Sequence, residues 1–249
     1  MDTIPKRDSI RQIVTDMILF NQGHSLRLRQ TKPEDAPILL RAYQNDAFIR
    51  LYRANNATLT EEELAFLLAE RATQPSSKIG YVEFMIEHKR RGAIGVTALG
   101  DYSSLHKRAE YVIGLFDNQS RLLMGYGMEA ALLLLDLAFN HYHLNKIYSY
   151  IYEYNEFAQK NIIKFGFEHE GTLKNHHYLV REQRFVNLYL NGLTQDSFRN
   201  NENMRRYSRR LLGRDITQPP QVIRLSPENQ VSAETQKQFL EKLLAKKKI

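Results

Sequence analysis

The chain has 249 residues, 43% of them hydrophobic and 25% charged, the balance of a soluble globular protein that can bury one full core with extensions, or two small domains. It contains no cysteine, which excludes disulfides, thiolate metal sites and cysteine nucleophiles. The formal net charge of +7 is uneven: beyond residue 195 there are 12 Lys and Arg against 6 Asp and Glu, so the basicity belongs to the tail. That tail could attract RNA, a ribosome or an acidic partner, or could simply be a solvated helix face.

No apolar run reaches the roughly 18 residues of a membrane span; the longest candidate, residues 130–139, is interrupted by Asp136. The first dozen residues lack the apolar centre of a secretory signal, so the expected compartment is the cytoplasm, with no membrane partner. Residues 5–19 carry a weakly amphipathic helical pattern with Ile10, Ile13, Val14, Met17 and Ile18 on one side, ended by Asn21-Gln22-Gly23. Leu26 and Leu28 then alternate as in a strand. Thr31 reads as the N-cap of a helix with Pro33, Glu34 and Asp35 in its first turn. A second helix starts at Thr60, where three glutamates lie near the positive end of the dipole and Leu64, Phe66, Leu67 and Leu68 form an apolar stripe.

Three strands follow as an antiparallel meander over 79–89, 93–103 and 108–116, the first two joined by Arg90-Arg91-Gly92. The run 128–144 is apolar enough to demand a largely buried helix. Residues 145–155 alternate Ile147, Ser149 and Ile151 against Tyr148, Tyr150, Tyr152 and Tyr154. Strand, helix, strand at this spacing is a crossover unit, so the two strands are expected to be parallel neighbours. A short helix over 156–165 and a long hairpin turning at Arg181-Glu182-Gln183 come next. A basic helix over 196–213, a Pro219-Pro220 linker and a terminal helix complete the chain as an appendage. In the terminal helix Phe239, Leu240, Leu243 and Leu244 make a stripe that could clasp a second copy in a homodimer or fold back on its own domain.

The junction with the most chemistry is the strand Tyr111-Val112-Ile113-Gly114-Leu115-Phe116, which passes through polar turn residues to Gly125-Tyr126-Gly127 at a helix start. A helix start exposes free N–H groups and the positive end of the macrodipole, and glycines remove the Cβ from the approach of a phosphate. An anion, in particular a pyrophosphate, is the expected ligand; helix–sheet packing would use the same glycines. His141-x-His143 and His176-His177 have no carboxylate at a spacing that completes a metal site, so no metal is expected.

The element order, a strand, two helices, three antiparallel strands, helix, strand, helix and two strands, resembles the GNAT N-acetyltransferase superfamily. Four stretches are similar to its Rim-type branch, which acetylates protein N-termini: Ala109–Leu115, the helix beginning Gly125-Tyr126-Gly127, the segment Tyr154–Gly171 and the closing strand Phe185–Thr194. The resemblance covers most of the chain, from Leu26 to Phe198. It implies an α/β GNAT fold, with a mixed central sheet of about six to seven strands and helices on both faces. It also implies a division into an N-terminal helical extension (1–23), the acetyltransferase domain (24–198) and a basic helical extension (199–249).

By the same resemblance the co-substrate is acetyl-CoA, held between the fourth and fifth strands. Backbone groups of Ile113, Gly114 and Leu115 would bind the pantetheine arm. Arg121, Leu122, Leu123, Met124, Gly125, Tyr126, Gly127 and Met128 would surround the pyrophosphate, mostly through amides, and Asn155 and Lys160 would contact the cofactor from the next helix. Glu110 stands where the branch carries Glu and is the candidate general base; its other reading is a surface carboxylate paired with Lys107 or Arg108. Glu83 and Glu87 are weaker candidates, since alternation would let them face solvent. Tyr154 is the candidate proton donor.

The departures from the family pattern are specific. Leu122 holds the place of a Gln or Arg, Leu123 that of a glycine, and Ala158 and Ile162 fill positions where the family offers a Ser or a Tyr as acid. A thiol of pKa ~8.5 can leave as thiolate near neutrality, so activity need not require that acid. The expected function is acetyl transfer to a primary amine, a protein N-terminus or a small amine such as an amino sugar, by direct attack in a ternary complex. The alternatives are a catalytically weak CoA-binding module and a protein targeted to ribosome or RNA by its basic tail.

Overall fold

The computed structural model describes residues 20–49, 51–52, 59–74, 78, 80–117, 124–180 and 182–219. The helix expected over 5–19, the loop residues Arg121, Leu122 and Leu123, and the terminal helix lie outside them. By internal contacts the chain divides into two units, Met1–Pro219 and Pro220–Ile249.

Among the described residues eight strands build one mixed sheet: β1 (Phe20–Gln22), β2 (Leu26–Gln30), β3 (Val82–His88), β4 (Gly92–Ser103), β5 (Arg108–Leu115), β6 (Lys146–Tyr152), β7 (Glu168–Leu179) and β8 (Arg184–Thr194). Their order is β1-β2-β3-β4-β5-β6-β8-β7. Every neighbouring pair is antiparallel except β5 with β6, which the buried helix between them makes parallel. The strand beyond the expected number is β1, three residues where the sequence pattern ends a helix; a piece that short has no alternation to read.

Among the described residues seven helices flank the sheet. On one face lie α1 (Ala36–Tyr43), α2 (Asp46–Ile49) and α3 (Glu61–Thr73); on the other, α4 (Met124–Asp136), α5 (Glu156–Phe165), α6 (Gln195–Arg199) and α7 (Glu202–Leu212). Helix α3 starts as expected. Thr60 accepts from the Glu63 N–H, and the Glu63 carboxylate accepts in return from the Thr60 N–H at 2.8 Å, a capping box worth about 1 kcal/mol. Thr31 does not cap. Its N–H instead donates to the Glu83 carbonyl at 3.1 Å, a 3-10 turn at Pro33–Asp35 precedes α1, and Asp35 takes the Lys32 N–H and a two-pronged bond from Arg29.

Helix α4 buries Leu132, Leu133, Leu134 and Leu135 completely, each contributing roughly 1.5–3 kcal/mol of apolar burial. It continues into a π-type turn at Leu137–His141, closed by the Tyr142 N–H on the Leu137 carbonyl. The basic helix expected over 196–213 is two helices, because Asn201 turns its side chain to cap α7 at the Met204 N–H. Nor is it an appendage. Phe198, Met204, Leu212 and Ile216 belong to the same core as α4. Arg214 reaches Asp136 at 2.8 Å and Asn21 at 2.6 Å, while Asn140 joins Asp136 to the Ile216 carbonyl. This polar knot ties β1, α4 and the segment to Pro219 together. Buried polar groups demand such partners.

Candidate active site

Parallel pairing between β5 and β6 lasts three rungs, Arg108 with Lys146, Ala109 with Ile147 and Glu110 with Tyr148. Beyond Glu110 the strands part: β5 stays paired with β4 as far as Leu115 opposite Gly95, while β6 stays paired with β8 as far as Tyr152 opposite Leu188. The sheet forks there. The Phe116 N–H donates to the Ile94 carbonyl at 2.9 Å and the Thr97 hydroxyl to the Val112 carbonyl at 2.7 Å, so the even-numbered backbone groups at this end of β5 face β4. By the two-residue period of a strand, Tyr111, Ile113 and Leu115 turn theirs into the fork.

That alternation sorts the backbone groups expected to meet the cofactor. Ile113 and Leu115 present their N–H and C=O to the fork, as an added strand requires, whereas Gly114 presents its own to β4. Gly114 has a different constraint, since a Cβ there would lie 2.6 Å from the Phe48 ring and 2.8 Å from Tyr52. The first turn of α4 closes the far end of the fork. A Cβ on Gly127 would be 4.0 Å from Leu115, and one on Gly125 would meet nothing within 4 Å among the described residues, so no side chain of either glycine stands between the helix-start amides and an anion. Tyr126 packs edge-on to His88 and Met128 against the core. An extended chain with a phosphate at one end fits this combination of unpaired strand edge and open helix start.

Glu110 occupies the last paired rung, half-buried, on the sheet face that carries α1–α3. Arg108, two residues before it, meets Asp101 and, at 3.0 Å, the Tyr148 hydroxyl. Tyr148 faces Glu110 across the rung, and burial, reinforced by its bond to Asp101, holds its phenol above the ordinary range. Tyr154 stacks on Tyr152 at 5.1 Å in a small cluster with Val186 and Leu188. Asn155 is committed as the N-cap of α5, accepting from the Ala158 N–H at 3.2 Å, and Lys160 is exposed and pairs with Glu156 at 2.9 Å. Ala158 and Ile162 pack against or into the core. His176 stacks over Tyr150, and His177 meets the Tyr152 hydroxyl.

Glu83 overturns the expectation of a solvent-facing carboxylate. Alternation puts Tyr81, Glu83 and Met85 on one face of β3, but α1–α3 cover that face, and Glu83 is only 3% exposed. One of its oxygens collects the hydroxyls of Tyr43 at 2.9 Å, Tyr81 at 3.1 Å and Tyr52 at 3.4 Å. Burial raises its carboxyl above the ordinary range against the pull of Arg71 and the three phenols. Its second oxygen and one Arg71 nitrogen are buried without a hydrogen-bond partner among the described residues. Glu87, by contrast, is ion-paired with Arg27 and Arg29. No sequence pattern says which face of a strand the helices will cover, so the convergence of phenols on Glu83 was not readable.

A family model for the acetyltransferase (GNAT) domain matches residues 25–168. The chain belongs to the GNAT acetyltransferase family. It is therefore an acyltransferase that uses acetyl-CoA to acetylate an amine. It is similar to the uncharacterized N-acetyltransferase YoaA of Bacillus subtilis strain 168, with 23% identity over 165 residues, 66% of this chain and 91% of that one. Among solved structures it resembles spermidine N-acetyltransferase from Vibrio cholerae in complex with CoA and spermine, with TM-score 0.59 and 21% identity over 70% of this chain and 97% of that one. A dodecameric structure of the Vibrio cholerae enzyme matches with TM-score 0.56 and 20% identity over 72% and 98%. These structural likenesses show the GNAT fold, and among the described residues no helix is long and apolar enough to cross a membrane.

Proposed function

We propose that this GNAT enzyme acetylates an α-amine, such as a protein N-terminus in the manner of the Rim-type branch, with Glu110 as general base. The observation that carries the reading is the position of Glu110 on the last rung before the sheet forks, where a thioester at the end of a pantetheine strand along Ile113 and Leu115 would arrive. Glu110 accepts a proton from the incoming ammonium, directly or through water. The freed nitrogen lone pair then attacks the thioester carbonyl carbon, and the C–S bond breaks as the tetrahedral oxyanion collapses. CoA departs as a thiolate, and the second proton that the nitrogen loses on becoming an amide passes through water to that thiolate, because neither Ala158 nor Ile162 can supply one. Orientation and backbone N–H groups of β5 provide the rest of the rate.

The amine class follows from the modest acid–base equipment. An α-amine of pKa ~8 is about one-tenth neutral at pH 7, whereas an alkylamine near ~10.4 is neutral less than about one time in a thousand. A single carboxylate suits the first. Residues 24–198 supply this site in the proposal, flanked by residues 1–23 and by 199–249, whose part up to Pro219 buttresses α4. Arg121, Leu122 and Leu123 complete the phosphate loop, Asn155 and Lys160 flank the cofactor, and Tyr154 lines the pocket without giving a proton to the thiolate. A homodimer or larger assembly, as the Vibrio cholerae enzyme forms, and a polyanion contact through exposed Arg206, Arg209 and Arg210 of α7 are separate parts of the reading.

The experiment is thiol release from acetyl-CoA with three probes: a tetrapeptide with a free N-terminus, glucosamine and spermidine. Expected is the fastest turnover with the peptide, lost in Glu110→Gln. Turnover with spermidine alone would overturn the α-amine assignment, and undiminished turnover in Glu110→Gln would remove the base.

A further inference from the structure

β5 leaves β6 after Glu110 yet stays on β4 as far as Leu115 opposite Gly95. At Gly95 the two strands come unusually close. A Cβ built there would stand 2.5 Å from the Gly114 carbonyl oxygen, 2.9 Å from the Leu115 Cδ2 and 3.1 Å from the Leu115 Cα. Facing Cα atoms in an antiparallel pair ordinarily lie about 4.5–5.5 Å apart, with room for a Cβ on each. Two of the three obstacles here are backbone atoms, which no change of rotamer can move aside. Any residue other than glycine would force the strands apart.

β5 is confined on both faces of the sheet at this point. Under α1–α3, the Phe48 ring lies 2.6 Å and the Tyr52 ring 2.8 Å from where a Cβ of Gly114 would be, and the two rings stack on each other at 4.9 Å. The Tyr52 hydroxyl is held in turn by Tyr81 at 3.1 Å and Glu83 at 3.4 Å. The rings therefore form a fixed plate against the Gly114 backbone. On the other face the Leu115 side chain folds back over Gly95, and its second methyl, Cδ1, lies 4.0 Å from the Cβ position of Gly127 in the first turn of α4. Neither Gly95 nor Gly114 has a positive φ. What both positions need is the missing side chain, because β5 is seated between β4, the ring plate and the helix start with no room for a methyl.

We infer that Gly95 is a positioning residue for the cofactor: by letting β5 close onto β4 at Leu115, it keeps β5 away from β6 and holds the fork open at the width an extended pantetheine arm needs. This rests on the reading of Ile113 and Leu115 as the edge that receives that arm. A ligand bound as an added strand takes its affinity from main-chain hydrogen bonds, and those weaken steeply when donor and acceptor are misaligned. A Cβ on Gly95 pushes β5 off β4 at the place where Leu115 offers its amide to the fork. The strand edge and the helix start then no longer fit one ligand.

The test is steady-state kinetics of Gly95→Ala with the free-amine tetrapeptide, alongside Gly171→Ala on β7, where a Cβ would meet nothing within 4 Å among the described residues. Expected is a rise of about tenfold in the acetyl-CoA KM, as the loss of one good hydrogen bond gives, with the peptide KM at its wild-type value and Gly171→Ala unchanged in both. The thermal midpoint of Gly95→Ala should also fall. A purely structural glycine would share that fall but not the split between the two KM values. An unchanged acetyl-CoA KM in folded Gly95→Ala protein, or an equal rise in both KM values, would overturn the inference. If Gly95→Ala does not fold, Phe48→Leu decides: it shortens the plate on Gly114 and should raise the acetyl-CoA KM severalfold, and an unchanged value overturns the inference. Amide exchange of the wild-type protein keeps the two readings apart, because an absence of CoA protection at Ile113 and Leu115 would remove the fork as the cofactor site whatever Gly95→Ala does.

Discussion

The two faces of the sheet solve different problems with the same chain. The face under α4 is apolar almost throughout, with four consecutive leucines fully buried, and its polar groups, Glu129, Asp136 and Asn140, hold neighbouring segments in place. Glu129 accepts the Ser25 and Leu26 N–H groups at 2.7 and 2.9 Å, so it closes the turn between β1 and β2. The face under α1–α3 is aromatic and carries its polar atoms inward, with three phenols gathered on Glu83 and Glu110 half-buried beside the fork. One face supplies cohesion. The other keeps a buried carboxyl above its ordinary range, a departure from good packing of the kind that marks working sites.

Substitutions on the two faces should therefore separate stability from activity. Leu132→Ala on α4 should cost about 2–5 kcal/mol in denaturant unfolding, while the protein that remains folded keeps its peptide KM; a changed KM would blur the division. Glu110→Gln should do the reverse. It should lower kcat by about 10²-fold or more with the unfolding midpoint unchanged, as measured by thiol release and urea titration.

Glu83→Gln tests the aromatic face through pH. Because burial raises the Glu83 carboxyl in the folded protein, its favourable contribution is complete below the unfolded value of about 4.5 and is lost as pH rises toward the folded value. Removing that titration should shift the stability difference in the variant's favour as pH goes from about 5 to about 8. A constant difference across that range would mean that Glu83 does not titrate differently on folding. The smallest effect is expected at the edge of the same face, where Thr60→Ala should cost about 1 kcal/mol without touching kinetics.

The sequence carried the elements with strong local signals. Thr60 and the glutamates after it announced a helix start, Arg90-Arg91-Gly92 a hairpin, and the strand–helix–strand spacing the parallel pair. It also placed Glu110 beside the junction of strand and helix. What it could not carry depends on contacts between distant segments. Alternation put Glu83 and Met85 on one face of β3 but could not say that α1–α3 would bury that face. The basic composition of residues 196–213 suggested a solvated helix, yet Met204, Ser208 and Leu212 recur at helical spacing, and that buried stripe, with Met204 and Leu212 in the core, is what docks α7. The length of the β5–β6 pairing, which decides where the fork opens, is a register and leaves no mark on composition.

Residue-resolved amide hydrogen exchange with and without CoA tests the fork most directly. The account predicts that CoA slows exchange at Ile113 and Leu115, whose amides face the fork, and at the amides of the first turn of α4, while Val112 and Gly114, already facing β4, change little. Equal protection along β5, or protection confined to other strands, would contradict it.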